Sequence, residues 1–411
     1  MQQKSTDAQP HARIIMTLFF FTMFVIGTDT FIVSPLLPAL RQVFHISAEQ
    51  SGWLVSAYAL GYAGFALIAG PLSDGFNRKS CLVAGMIGFS AFTAGCGLAA
   101  DFSTLLALRA LAGISAAIAS PQVWASIPQL MPAHRVVKAM SCATAGLAVS
   151  QCMGVPLGSV LAASSWRFPF FALAGGALVI TLLLAVKLPS IPPRQRSGIS
   201  VAALAQQYRS VLNERRSITA FLGYFLYQLG TFATFSFLGN WLADDFALSL
   251  QQTGLFILVF GAGNLAGSLM TASVERWLGT RVTVTAALLG MISMYLLVMW
   301  GGHIAVVGFA YMMIAWMGGI LFPLLMNTLQ LQQPSARGTI AALANSTMYG
   351  GTMIGSALAG LLYARVAGFP AIVILTMLCY TAAMILFRHI LQPVTMTSIA
   401  ASSASAPNVG R

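Results

Sequence analysis

The chain has 411 residues, of which 58% are hydrophobic and 7% charged, and its mean hydropathy is +0.82. Soluble domains carry roughly 25% charged residues because they need a solvated surface, so this composition excludes an ordinary soluble enzyme and points to a chain solvated by lipid. Lys and Arg outnumber Asp and Glu 21 to 9, giving a formal charge of +12; that excess alone would suggest a nucleic-acid partner, which the placement of the charges argues against.

A spanning helix needs roughly 20 apolar residues to cross about 30 Å of hydrocarbon. In chain order the spans read as 14–37, 50–72, 80–99, 104–127, 139–163, 168–188, 217–242, 252–273, 282–300, 304–328, 338–362 and 369–391. The first run is too long for a signal-peptide core and lacks a small-x-small cleavage site, so it is read as a span. Short connections such as Ala100-Asp101-Phe102-Ser103 force neighbouring helices to run antiparallel. Cys81, Cys96, Cys142, Cys152 and Cys379 fall in apolar runs without a CxxC pair and read as small buried hydrophobes. With the N-terminus cytoplasmic, 17 of the Lys and Arg residues lie on the cytoplasmic side and three (Arg41, Arg167, Arg365) outside, while Arg109 lies within a span. This bias predicts an even number of helices with both termini inside, and it accounts for the basic charge as membrane topology.

The longest connection is polar and basic, with Pro192-Pro193-Arg194-Gln195-Arg196 followed by Arg215-Arg216. It divides the chain into a cytoplasmic tail 1–13, a six-helix bundle 14–188, a cytoplasmic linker 189–216, a second six-helix bundle 217–391 and a flexible cytoplasmic tail 392–411. The halves echo each other at a nearly constant shift. Asp74 matches Glu275, Gly154 matches Gly355 and Phe168-Pro169 matches Phe369-Pro370, each 201 residues apart, while Pro132 and Arg135 match Pro334 and Arg337 at 202. Two homologous bundles in parallel orientation place a solute site between them near the midplane.

Between the second and third spans stands Gly70-Pro71-Leu72-Ser73-Asp74-Gly75-Phe76-Asn77-Arg78-Lys79. It resembles the GxLxDxxGRK-type loop of the major facilitator superfamily, with Asn77 where a glycine is usual, a residue that also tolerates left-handed backbone. An acid at a helix end beside a basic pair can latch neighbouring helices by charge-assisted bonds, whereas topology determination alone would need only Arg78 and Lys79. Arg109-Ala-Leu-Ala-Gly113 resembles the family's RxxxG motif, with Ala112 in place of the usual Gln. Gly146, then Gly154-Val-Pro-Leu-Gly158, Trp166-Arg167 and Phe170 resemble the proline–glycine antiporter motif, in the form found among sugar-efflux and arabinose-efflux-like members of the drug:proton antiporter group. Small residues and Pro156 suit a bent, rocking helix. Gly27-Thr-Asp29-Thr-Phe31 with Pro35-Leu-Leu-Pro38 looks like the same group. The resemblance implies an all-α membrane protein with the twelve-helix major facilitator fold, in which Gly70, Asp74, Arg78, Lys79, Gly154, Pro156 and Gly158 serve gating.

Of the nine acids, eight read as lying in loops or tails, and only Asp29 sits well inside a span. An ionised carboxylate at bilayer depth costs several kcal/mol unless paired or protonated, which suits a proton carrier; an acid hydrogen-bonded within the bundle without turnover is the plainer alternative. The histidines (His11, His45, His134, His303, His389) fall at or near span ends. Arg109 enters the fourth span from the same side as Asp29 and is the expected partner, unless it serves helix-1 backbone carbonyls. Tyr224, Tyr227, Gln228 and Thr231 fall on one helical face. Together with Tyr58, Gln122, Gln151, Asn264, Asn327 and Asn345 they are candidate cavity residues for a neutral, amphipathic or anionic solute, and each is also a candidate for helix–helix glue.

These readings converge on a proton-coupled exporter of a small amphipathic solute (a drug, sugar-like compound or secreted metabolite) in the bacterial inner membrane, working by alternating access. A proton-coupled importer of a sugar or organic acid and a non-transporting membrane sensor are the alternatives. The expected partners are the solute and the lipid bilayer, with no nucleic acid, no metal and no cofactor beyond the proton, and the chain is read as a monomer. No HExxH, GxSxG or cluster of buried acids and histidines suggests an enzyme.

Overall fold

The fold is that of a computed structural model, which describes residues 4–74, 76–192, 201–332 and 337–391. The first half comprises α1 (Lys4–Phe44), α2 (Ala48–Asp74), α3 (Arg78–Leu98), α4 (Phe102–Leu130), α5 (Ala133–Val149), a π turn Ser150–Gly154, α6 (Val155–Ala162) and α7 (Phe168–Lys187). After α8 (Val201–Leu212) follow α9 (Arg215–Phe246), α10 (Leu250–Leu278), α11 (Thr280–Trp300), α12 (Ile304–Gln330), α13 (Arg337–Leu362), a second π turn Tyr363–Ala367 and α14 (Phe369–Ile390). Among the described residues eleven helices are long and apolar enough to cross a membrane. The twelfth long helix, α13, is richer in Gly, Ser, Thr and Asn, and it packs between α2 and α9. A helix enclosed by protein can carry those groups because it need not be solvated by lipid.

Large apolar side chains point outward from both halves, including Trp277 and Trp300, which are more than four-fifths exposed. In water such a surface would aggregate, whereas in a bilayer it is the solvated face. The helix starts carry conventional caps: Asp101 accepts from Thr104 N–H, and Ser249 and Gln252 form a capping box on α10. Hydrogen bonds from Thr104 hold the Asp101 carboxyl below its usual range.

The helices overrun the apolar stretches because the intrahelical hydrogen-bond ladder does not stop at the lipid boundary. As a result the acids read as lying in loops are mostly at helix ends. Glu49 is in the first turn of α2, Asp74 is its last residue, and Asp244 and Asp245 are in the last turn of α9. Asp7 and Glu275 also lie within helices. The linker 189–216 contains α8, whose Tyr208 hydroxyl donates to the Leu67 carbonyl of α2 at 2.7 Å. The tail 392–411 lies outside the described residues.

Each half packs internally through its own helices, and the halves meet through α1 with α9, α2 with α13, and α6 with α10. On α1, the Ser34 hydroxyl donates to the Phe235 carbonyl and, at 3.1 Å, to that of Ser236. These partners stand 201 and 202 residues away, so Ser34 meets its own repeat equivalent, as residues on a pseudo-two-fold axis do. Beyond it, Arg41 Nη1 lies 3.5 Å from Asp244 Oδ2, which also accepts from Tyr363 at 2.7 Å, and Arg365 Nη2 lies 2.8 Å from Glu49 Oε2. Both ion pairs join the halves at one end of the molecule. They are solvent-accessible, so Arg365→Gln is expected to cost at most about 1 kcal/mol, measured as a melting shift of no more than roughly 2–4 °C in detergent.

Candidate functional site

Asp29 is fully buried on α1, and Arg109 on α4 is 1% exposed. Arg109 Nη1 lies 2.8 Å from Asp29 Oδ2, and Nη2 reaches the Asp29 backbone carbonyl at 3.4 Å. Both sequence readings of Arg109, carboxylate partner and carbonyl donor, therefore coexist in one geometry. The guanidinium carbon also sits 4.5 Å over the Tyr58 ring, an arrangement that favours a cation in low dielectric. Asp29 Oδ1 and Arg109 Nε have no hydrogen-bond partner among the described residues.

Glycines bring these groups together. A Cβ at Gly113 would stand 2.1 Å from the Tyr58 carbonyl oxygen, and one at Gly61 would stand 2.1 Å from that of Ala110. Only a hydrogen fits at either position, so α2 and α4 approach backbone to backbone and slide Tyr58 beneath Arg109. Gly154 and Gly158 abut Thr28 and Ile32, which are one turn apart on α1 and bracket Asp29 in sequence. The π turn ends at Gly154, two residues before Pro156, and widens the ladder where proline would otherwise clash with the carbonyl four residues earlier. Pro156 and Ser159 in turn face Gly254 of α10 in the other half.

Around the 70–79 loop, Asn77 has φ −66° and ψ 117°, so the left-handed backbone expected there is not used. Asn77 instead caps α3, accepting from Lys79 N–H at 3.0 Å, and its amide donates to Ser190 at 2.7 Å. Arg78 is buried, and its N–H donates to the Ile191 carbonyl at 3.2 Å. Gly75 and the side chains of residues 70–74, including Gly70 and Asp74, lie outside the described ones, as do Pro334 and the Arg337 side chain.

The candidate cavity residues do not form one cluster. Tyr224 is buried and accepts from Gln228 at 2.9 Å, whereas Tyr227 and Thr231 turn into the second bundle. Gln122 donates to the Ile118 carbonyl at 3.3 Å, and the Oε1 atoms of Gln122 and Gln151 are buried without partners among the described residues. Asn327 is exposed and Asn345 is half-buried.

Tyr227, Thr231 and Asn264 line a cavity of about 50 Å³ together with Tyr295, Tyr311 and Tyr380. Thr231 bonds Tyr380 at 2.9 Å, Thr234 bonds Tyr295 at 2.8 Å, and the Tyr311 hydroxyl is buried without a partner among the described residues. A shift of 202 carries Asp29 onto Thr231 and Arg109 onto Tyr311. The ion pair of the first half thus corresponds to a neutral hydroxyl cavity in the second. Sequence reasoning missed Thr30, Tyr62, Tyr295, Tyr311, Tyr349 and Tyr380. The spacing of Tyr58 and Tyr62 and the echo of Pro121 in Pro323, both inside helices, were available signals.

Two six-helix bundles related by a chain repeat, each exposing an apolar belt and one burying an ion pair, define a polytopic membrane transport protein. The Major Facilitator Superfamily profile matches residues 19–356 and again 220–408, the second match starting 201 residues after the first. The chain belongs to the major facilitator superfamily. It is similar to the uncharacterized MFS-type transporter YceJ of Bacillus subtilis (strain 168), 43% identical over 91% of this chain and 95% of YceJ. It is also similar to the multidrug efflux protein YfmO of the same organism, 27% identical over 61% of each chain. The fold resembles that of the xylose transporter XylE from E. coli in a partially occluded inward-open conformation, with a TM-score of 0.73 at 15% identity over 94% of this chain and 99% of that one.

Proposed function

We propose that this transporter exports a small amphipathic solute in exchange for protons across the bacterial inner membrane, with Asp29 as the proton carrier. The observation that carries this reading is the fully buried Asp29–Arg109 pair, the one ion pair with both partners buried among the described residues. Desolvation disfavours both charges there, so taking up a proton on Asp29 exchanges an ion pair for a lone arginine braced by Tyr58. Two conformations that hydrate or pair Asp29 differently then differ in proton affinity, which is what coupling requires. The outward direction is supported by the likeness to the multidrug efflux protein YfmO and to a chloramphenicol resistance protein from Streptomyces lividans, 27% identical over 59% of this chain. With the ends bearing Arg41 and Arg365 outside, as the Lys and Arg bias expects, both ion pairs that join the halves lie at the periplasmic end, which supports loading from the cytoplasm.

The test uses everted membrane vesicles containing the full chain and a panel of ethidium, chloramphenicol and neutral sugars. Uptake of at least one probe is expected to require an acidic interior and to collapse on adding a protonophore. Gradient-independent uptake, or uptake only into right-side-out vesicles, would sink the exporter reading.

A further inference from the structure

The buried pair belongs to the first half, but its environment does not end there. Tyr349, on α13 of the second half, stacks on Tyr62 of α2 with ring centroids 3.7 Å apart and planes inclined by 23°. It also lies 6.3 Å, centroid to centroid, from Tyr58, whose ring carries the Arg109 guanidinium. Thr30, next in sequence to Asp29, places its hydroxyl 3.5 Å from both the Tyr58 and Tyr349 hydroxyls. All these side chains are buried. Two hydrogen bonds flank the contact: Ser56 donates to the Met353 carbonyl and Ser346 donates to the Ala63 carbonyl, each at 2.8 Å. Tyr349 is thereby held against α2 by the seam that must part when the halves move relative to one another.

We infer that Tyr349 is a positioning residue that couples the protonation of Asp29 to the α2–α13 seam between the halves, acting through Thr30 and Tyr58. The inference rests on the proton-carrier reading of Asp29. With Asp29 ionised, Arg109 is anchored by the carboxylate and lies flat on Tyr58, which fixes the Tyr58 ring and hydroxyl against Thr30 and Tyr349. With Asp29 protonated, Arg109 keeps its charge but loses its strong acceptor. Tyr58 is then released from one side, and the polar and stacking contacts that Tyr349 makes across the seam weaken. The titratable and charged groups around Asp29 among the described residues are Arg109 on α4, Cys96 on α3, Tyr58 and Tyr62 on α2 and Tyr349 on α13, with Tyr224 on α9 beside Tyr349. None of these is a second carboxylate, so the charge that changes on acidification is that of Asp29.

The experiment is amide hydrogen exchange of the full chain in lipid nanodiscs at about pH 5 and about pH 8, corrected for intrinsic exchange and read on peptides covering 337–362. In the wild type the seam is expected to exchange about tenfold faster at the acid pH, a typical size for coupling between sites. Asp29→Asn is expected to give the fast rate at both pH values. Tyr349→Leu is expected to lose the pH difference, and Tyr349→Phe, which keeps the stack but lacks the hydroxyl that meets Thr30, to lose it as well. A purely structural tyrosine would raise exchange equally at both pH values and leave their ratio intact. Thr30→Val removes the linking hydroxyl at constant shape, so it makes the same prediction if Tyr349→Leu fails to fold. A wild-type pH ratio in both Tyr349→Leu and Thr30→Val overturns the coupling role while leaving Asp29 as carrier. Gradient-driven transport surviving in Asp29→Asn overturns the carrier reading itself, and a wild-type seam indifferent to pH overturns the coupling alone.

Discussion

Asp29→Asn is expected to reduce gradient-driven transport to the background of vesicles lacking the protein, while solute exchange in the absence of a gradient persists. Asparagine keeps the shape of the side chain and an oxygen acceptor for Arg109, but it cannot release or bind the transported proton. The substitution also leaves a buried guanidinium without a counter-charge. Removing one partner of a buried pair costs about 3–5 kcal/mol, less whatever the Tyr58 ring supplies. The two effects separate in measurement, since a lowered melting point with exchange retained is the signature of a lost proton carrier in a folded protein. Gradient-driven transport at the wild-type rate would remove Asp29 from the mechanism.

Gly113→Ala is expected to cause a large loss of folded protein, because the added methyl would stand 2.1 Å from the Tyr58 carbonyl oxygen, an atom of rigid helix backbone. Overpacking of a well-filled contact costs about 1–3 kcal/mol and more where backbone must move. The displacement would push α4 away from α2 and lift Arg109 off Tyr58, so transport should fall even in the fraction that folds. Gly64→Ala on α2 is the matched control, since nothing lies within 4 Å of its added Cβ. The comparison is read as monodisperse yield and melting temperature after extraction; equal behaviour of the two variants would contradict the close α2–α4 approach.

The architecture was legible because the bilayer constrains it so strongly. The length of each apolar run and the 201-residue echo follow simple rules that can be applied to the chain directly. Asp29 and Arg109 were legible for a related reason: a charge within an apolar run stands out against its neighbours. Tyr62 and Tyr349 did not stand out, because a buried tyrosine looks the same in sequence whether it fills a core or bridges two domains. Their juxtaposition depends on the register of α2 against α13, which no local pattern encodes. The π turn before Pro156 was hidden likewise, since proline announces a disturbed ladder without saying whether the helix kinks or widens. The helix in the linker was missed because α8 is too short and too polar to register as a span.

A shift of 202 brings Thr231 and Tyr311 to the places held by Asp29 and Arg109, so among the described residues the second bundle has hydroxyls where the first has the proposed carrier pair. For the proposed exchanger that asymmetry sets a thermodynamic ceiling. One proton returning per neutral solute expelled delivers about 2.3 kcal/mol for each 100 mV of proton-motive force. At about 1.4 kcal/mol per tenfold ratio, the outward gradient such a cycle can sustain is roughly 50-fold per 100 mV. Steeper accumulation would demand a second carrier, which the duplicated half, with hydroxyls where the charges would stand, does not supply.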